Sequence, residues 1–364
     1  MRADRPKEMA IEAAHRLWED ATRQRRDAPT DARTVDELCD AFVRHAATYY
    51  RGGSEYSNCA CAVRVFRELF GSRPVGELVH TDMLAVRDAL VRSGVARVTV
   101  NRYIGIITNR MMPWALDEGL VRAAVKAELS QVRPLKRNRS EARETEPVRP
   151  VGAEAVKAAQ ACMVPNTADM VEVHRLTGMR PAELCGMRWQ DIDTSATPWV
   201  YRPSGHKNDW RGELGQPRVI LIGPRARAIL ERHRSTEYPF SPVAATAERI
   251  AELRSRRTSP FYPCRDENYS RADPHATRKP RDHWDTCSYS RTIYAACLRA
   301  KIDPWGANRL RHAFATEVRR KFGLEATRAV LGHSMGARIT DRYSFEAIED
   351  EIIAKASPAV EALG

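Results

Sequence analysis

Asn308-Arg309-Leu310-Arg311-His312-Ala313-Phe314-Ala315-Thr316, followed by Leu331-Gly332-His333-Ser334 and then by Tyr343, is the stretch on which the fold turns. Leu310, Phe314 and Val318 recur every four residues, which predicts a helix with that face in the core. Arg311 falls beside that face, at its edge. Leu331-Gly332 reads as a helix end with glycine at the C-cap. His333 is then expected on the turn, and Tyr343 near the start of the next helix. An arginine, a histidine and a tyrosine are thereby gathered in one helical region.

A second informative stretch lies upstream: Thr177-Gly178-Met179-Arg180-Pro181-Ala182-Glu183-Leu184, running on to Trp189-Gln190-Asp191-Ile192-Asp193. Proline suits the first turn of a helix. Arg180 is therefore expected at the helix cap, directed out of a tight glycine turn. Residues 199–202 and 218–222 read as two strands. The polar turn between them, Ser204-Gly205-His206-Lys207-Asn208, carries Lys207 as its lysine.

These stretches resemble the two conserved boxes of the tyrosine recombinases, also called the phage integrase family. One box of that family reads Thr-Gly-x-Arg, then Glu-Leu, then Trp-x-Asp-Ile-Asp. The other reads His-x-Leu-Arg-His, then Leu-Gly-His, then a tyrosine nine or ten residues on; here His333 to Tyr343 is ten. One position departs, because Asn308 stands where the family has its first histidine. The resemblance implies a mainly α protein with a small β-sheet: an all-α, SAM-like core-binding domain followed by an α+β catalytic domain. It also implies roles. Tyr343 would be the nucleophile, Arg180 and Arg311 the grip on the phosphate, His333 a further donor and Lys207 the general acid. Glu183 and His312 would support the site.

Cleaving a phosphodiester without a metal needs an attacking nucleophile, neutralisation of the non-bridging oxygens and a proton for the leaving 5′ oxygen. A phenol supplies the first and forms a covalent phosphotyrosine. A free phenol titrates near ~10, so cations must favour the phenolate. Guanidinium groups supply bidentate donors, and a lysine can protonate the leaving group. An amide at 308 can donate a hydrogen bond but cannot titrate near neutrality. A histidine at 312 lies about 100° round a helix from Arg311, which makes it a poor substitute. No cofactor is expected, since neither a phosphate-binding loop nor a zinc-protease histidine pair is present. Cys264, His275, His283 and Cys287 fall within 24 residues, but their irregular spacing reads as ordinary loop and helix rather than a zinc site.

The chain has 364 residues, enough for two domains, with a formal net charge of +12. Only nine of its 59 basic residues are lysine. That balance favours a polyanionic partner gripped by arginine. No apolar run approaches the ~20 residues of a membrane span, and no apolar signal region follows the first residues. Eight cysteines without a framework pattern point to reduced thiols and a cytoplasmic location.

The expected organisation is an N-terminal helical extension over 1–29, an all-α DNA-binding domain over 30–130, a linker over 131–150 and a catalytic domain over 151–364. Arg97, Thr99, Asn101 and Arg102 cluster at a helix start, where backbone N–H groups also favour phosphate. The linker, with six basic residues and three prolines, is able to lie along DNA. Residues 241–285, rich in arginine and aromatics, are of uncertain order. Beyond Tyr343, the residues Phe345, Ile348, Ile352 and Ala356 share one apolar face. The resemblance implies that this helix docks on a neighbouring protomer; docking on its own domain is the alternative.

The expected function is a site-specific recombinase, such as the integrase of a mobile element, acting on double-stranded DNA as a homotetramer, with a monomer allowed free in solution. Two alternatives remain: a catalytically degenerate DNA-binding member of the same family, and a type IB topoisomerase-like relaxase.

Overall fold

A capping box opens the first helix. Thr34 Oγ1 accepts from the Glu37 N–H at 3.3 Å, and the Glu37 carboxylate accepts from the Thr34 N–H at 3.0 Å. In this computed structural model the described residues are 33–51, 53–195, 197–204, 218–234, 237–258, 281–332, 339–344 and 347. The expected extension over 1–29 lies outside them. The chain divides between Pro147 and Val148 into two compact units, each with its own apolar core.

The first unit is helical: α1 (Val35–Tyr49), α2 (Ser54–Phe70), α3 (His80–Arg92), α4 (Arg97–Ile106), α5 (Met112–Asp117) and α6 (Ala123–Leu129). Leu38 and Phe42 of α1, Ala62 and Phe66 of α2, and Val86 and Leu90 of α3 meet in its core. Each fully buried large side chain stabilises by roughly 1.5–3 kcal/mol. Between α4 and α5 a π turn, Ile107–Met111, helps to pack two adjacent pairs inward, Ile106-Ile107 and Met111-Met112.

The stretch 131–150, expected as a linker, is fastened to this unit as far as residue 144. Arg97 Nε donates to Glu144 at 2.6 Å, and Arg97 Nη1 donates to the Leu135 carbonyl at 3.2 Å. The Asn101 amide both donates to the Leu135 carbonyl (3.0 Å) and accepts from the Leu135 N–H (2.8 Å). The backbone joins in, with the Arg97 N–H on the Arg143 carbonyl at 2.9 Å. The segment read from composition as a basic linker therefore forms a strap over these residues, because two polar side chains at the start of α4 satisfy its backbone.

The second unit runs α7 (Ala153–Gln160), α8 (Pro165–Thr177), α9 (Pro181–Cys185), β1 (Ile192–Asp193), β2 (Trp199–Tyr201), β3 (Ile220–Ile222), α10 (Pro224–Glu231), α11 (Pro242–Ser255), α12 (Thr286–Arg299), α13 (Asn308–Leu331) and α14 (Ile339–Tyr343). Four of these helices begin on proline, whose missing N–H is an orphan at that position anyway. The strands form an antiparallel sheet in the order β1-β2-β3, with Ile192 opposite Tyr201 and Trp199 opposite Ile222. Trp199, Tyr201, Ile220 and Ile222 face the core, while Leu221 between them is exposed.

Three expectations are revised here. Helix α11 occupies part of the region whose order the sequence left open; residues 259–280, with Cys264 and His275, lie outside the described residues. Tyr343 ends α14 rather than starting it. In α13 the expected face Leu310-Phe314-Val318 is buried at Leu310 but half-buried at Phe314 and Val318, while Arg311, Ala315 and Arg319 are buried. The helix is also broken at Gly323, where φ is +78°.

Candidate active site

Gly178 ends α8 in the left-handed conformation, with φ +59°. A Cβ there would run into the Phe314 ring of α13, so the tight turn and the close approach both require glycine. The turn delivers Arg180 to the cap of α9, as the sequence predicted. Its N–H donates to Glu183 Oε2 and its Nη1 to Glu183 Oε1, each at 2.7 Å.

Glu183 is 7% exposed and serves a second arginine. Arg218, just before β3, donates from Nε to Oε1 at 3.1 Å and from Nη2 to Oε2 at 3.3 Å. Burial alone would raise the Glu183 carboxyl; Arg218, then Arg180, overcome it and hold the pKa below its usual value. Arg218 also donates to the Val330 carbonyl at 3.3 Å, and its guanidinium fills the space where a Cβ on Gly332 would sit. Gly332, at φ +63°, is the C-cap of α13. One carboxylate and one guanidinium thus join α9, the sheet and the end of α13.

Arg311 was expected at the edge of its helix and is instead wholly buried. Periodicity places apolar residues inward; here a cation goes inward because carbonyls meet it. Nη1 donates to Gly178 O and Nη2 to Leu331 O, both at 2.8 Å. Desolvation, then the charges of Arg180 and Arg218, push its pKa down to about 10, against the opposing pull of Glu183 and Tyr343. It remains a cation at neutral pH.

The Arg311 guanidinium carbon lies 5.2 Å from the centre of the Tyr343 ring, within cation–π range. The His312 ring packs on the other candidate, with centroids 4.5 Å apart and planes 32° from parallel to Tyr343. His312, expected to support the site but to be a poor substitute for a histidine at 308, thus lies against the Tyr343 ring. Arg319, two turns beyond Arg311 in α13, donates to Asp341 at 2.8 Å and to Ser344 Oγ at 3.1 Å. These bonds fasten α14, and with it Tyr343, to α13. Asn308 is exposed in the first turn of the same helix.

One region of this unit thus holds Arg311 against Tyr343, with Arg180, Glu183 and Arg218 close enough that their charges act on Arg311. Residues 153–347 match the sequence model of the phage integrase family, which is more than half of the 364 residues.

The chain belongs to the phage integrase family.

No curated protein matches the chain; solved structures do. A λ integrase dimer bound to a COC′ core site is 14% identical, with a TM-score of 0.60, covering 92% of this chain and 85% of that one. The Tn1549 transposon integrase in complex with circular intermediate DNA is 16% identical, with a TM-score of 0.56 and coverages of 88% and 99%. A λ integrase tetramer bound to a Holliday junction is 13% identical at a TM-score of 0.56, covering 86% and 78%. At these identities the likeness is one of fold: mainly helical, with a small three-stranded sheet, as the sequence implied.

Within this phage integrase family member, Lys207 and His333 lie outside the described residues. Arg97 and Asn101 are engaged by the strap, while Thr99 is half-buried and Arg102 exposed beside them. Sequence reading missed Arg218 and Arg319, because each acts through a partner far off in the chain. Among the described residues, no group of histidines, cysteines and carboxylates could hold a metal ion, and no helix is long and apolar enough to cross a membrane.

Proposed function

We propose that this protein is a site-specific DNA recombinase of the integrase type. The reading rests above all on the buried Arg311 guanidinium facing the Tyr343 ring at 5.2 Å. A buried cation beside that side chain is placed to stabilise, when DNA is bound, the extra charge on an attacked phosphate. In the proposed reaction the Tyr343 oxygen attacks a DNA phosphorus and the bond to the 5′ oxygen breaks. The products are a 3′-phosphotyrosine and a 5′-hydroxyl that takes a proton from Lys207. Arg180 and Arg311 hold the non-bridging oxygens, and His333 adds a donor. Attack by a second 5′-hydroxyl reverses the step on a new partner, so neither ATP nor a metal is needed.

Double-stranded DNA is the substrate, and a tetramer on paired sites is the assembly in which strands exchange. The neighbours in fold bound to a core site, to circular intermediate DNA and to a Holliday junction support that assignment, as does the net charge of +12. The test is a nicked suicide DNA duplex carrying the protein's own attachment site. A covalent adduct that disappears in Tyr343→Phe is the expected result. Retention of DNA with no adduct would instead mark a binding-only protein.

A further inference from the structure

We propose that His174 is a positioning residue for Arg180, acting through the carbonyl of Met179, with the Tyr289 hydroxyl fixing the imidazole in the tautomer that can do so. The inference rests on the recombinase reading of the site.

The turn between α8 and α9 must deliver Arg180 to a fixed place, and its backbone is held on consecutive residues. Arg311 donates to Gly178 O at 2.8 Å. His174 Nε2 lies 2.9 Å from Met179 O, and the His174 carbonyl takes the Gly178 N–H at 2.9 Å. Arg180 is the next residue. Two side chains from different helices therefore grip the two peptide carbonyls that lead into it.

A carbonyl oxygen only accepts, so Nε2 must carry the ring proton. In a neutral imidazole Nδ1 is then an acceptor, and it lies 3.2 Å from the Tyr289 hydroxyl of α12, which donates to it. Each neighbour thus demands the same tautomer. Burial, with Arg311 nearby, pushes the His174 pKa down to about 4, so the ring stays neutral and Nδ1 stays an acceptor at working pH. His174 and Tyr289 are both fully buried, and neither is needed to touch DNA. An apolar side chain would fill the same volume but leave the Met179 carbonyl without this donor. The turn would then shift to find another, and Arg180 would move with it. Displacing a phosphate-gripping group by about 1 Å lowers rates on the order of 10²-fold.

The test measures single-turnover formation of the Tyr343–DNA adduct, together with DNA affinity. His174→Phe should slow adduct formation by roughly 10- to 100-fold with DNA affinity unchanged. His174→Gln, which can still donate to the carbonyl, should recover most of the rate; Tyr289→Phe should show a smaller loss than His174→Phe. In an Arg180→Ala background, followed over long times, either substitution should add no further loss, since the group it positions is gone. A wild-type rate in His174→Phe, or the same fold-loss with and without Arg180, would overturn the proposal. If His174→Phe does not fold, Tyr289→Phe decides by the same comparison: loss only when Arg180 is present supports the proposal, and an equal or absent loss overturns it. Wild-type protein that forms no Tyr343-dependent adduct would sink the recombinase reading itself. Normal wild-type cleavage with indifferent variants sinks this inference alone.

Discussion

Position 308 is where the resemblance led us to expect a histidine, and its effect is testable at one side chain. Asn308 is exposed one helical turn before Arg311. An amide there can donate to a phosphate but cannot take or give up a proton. Asn308→His should raise the single-turnover rate of adduct formation, by up to ~10²-fold; an unmoved rate would mean that the phenol proton leaves by another route. His174 makes a different prediction, about stability. Burial depresses its pKa to about 4 against the opposing pull of the Met179 carbonyl, with Arg311 adding to the depression and Glu183 opposing it least. In the unfolded chain it titrates near ~6.5. Between those values the unfolded state holds a proton that the folded state lacks, so stability rises with pH and is lost as pH falls. Denaturant unfolding of wild type should lose roughly 2–3 kcal/mol from this group between pH 7.5 and 4.5. His174→Gln should lack that component while keeping the acid sensitivity of the paired carboxylates, and equal pH profiles for the two proteins would refute the assignment.

Elements bring these residues together, and the glycines at two helix ends decide how closely. Gly332 closes α13 at φ +63°, and an added Cβ would displace the Arg218 guanidinium from beside Glu183. The backbone alone would cost about 1–2 kcal/mol in Gly332→Ala. Cleavage should fall further than stability, since Glu183 then loses a partner. Gly152→Ala, where a Cβ meets open space, is the control and should leave both nearly unchanged. The glycine turn, the proline after Arg180 and the glycine C-cap were legible in the sequence because their signals are local. The burial of Arg311 was not, since a pattern of apolar residues cannot announce carbonyls supplied by Gly178 and Leu331 from elsewhere in the chain. Arg218 and Arg319 were hidden for the same reason, with partners 35 and 22 residues away. Helix α11 escaped because Val243, Ile250 and Leu253 are exposed, which blurs its periodicity.

Across the whole molecule, a net charge of +12 favours DNA everywhere, and the question is which cations meet phosphate. A shared place at a helix start put Arg97 and Arg102 in one class; their surroundings separate them. Arg97 already holds Glu144 at 2.6 Å and the Leu135 carbonyl at 3.2 Å, fastening the strap, whereas Arg102 is exposed. In the full-length protein, Arg102→Ala should reduce the slope of log affinity against log salt by ~1, as the loss of one phosphate contact requires. Arg97→Ala should leave that slope unchanged and instead lower the unfolding midpoint of the helical unit, because its bonds to Glu144 and to the Leu135 carbonyl go with it. Glu144→Ala should reproduce the loss of stability from the other side of the pair. The two mechanisms give opposite signatures, so a single salt titration with a matching melt distinguishes them. A slope change of ~1 in Arg97→Ala, with stability intact, would show that the guanidinium exchanges Glu144 for a phosphate when DNA arrives. The strap would then be a ligand-dependent contact rather than a fixed part of the fold.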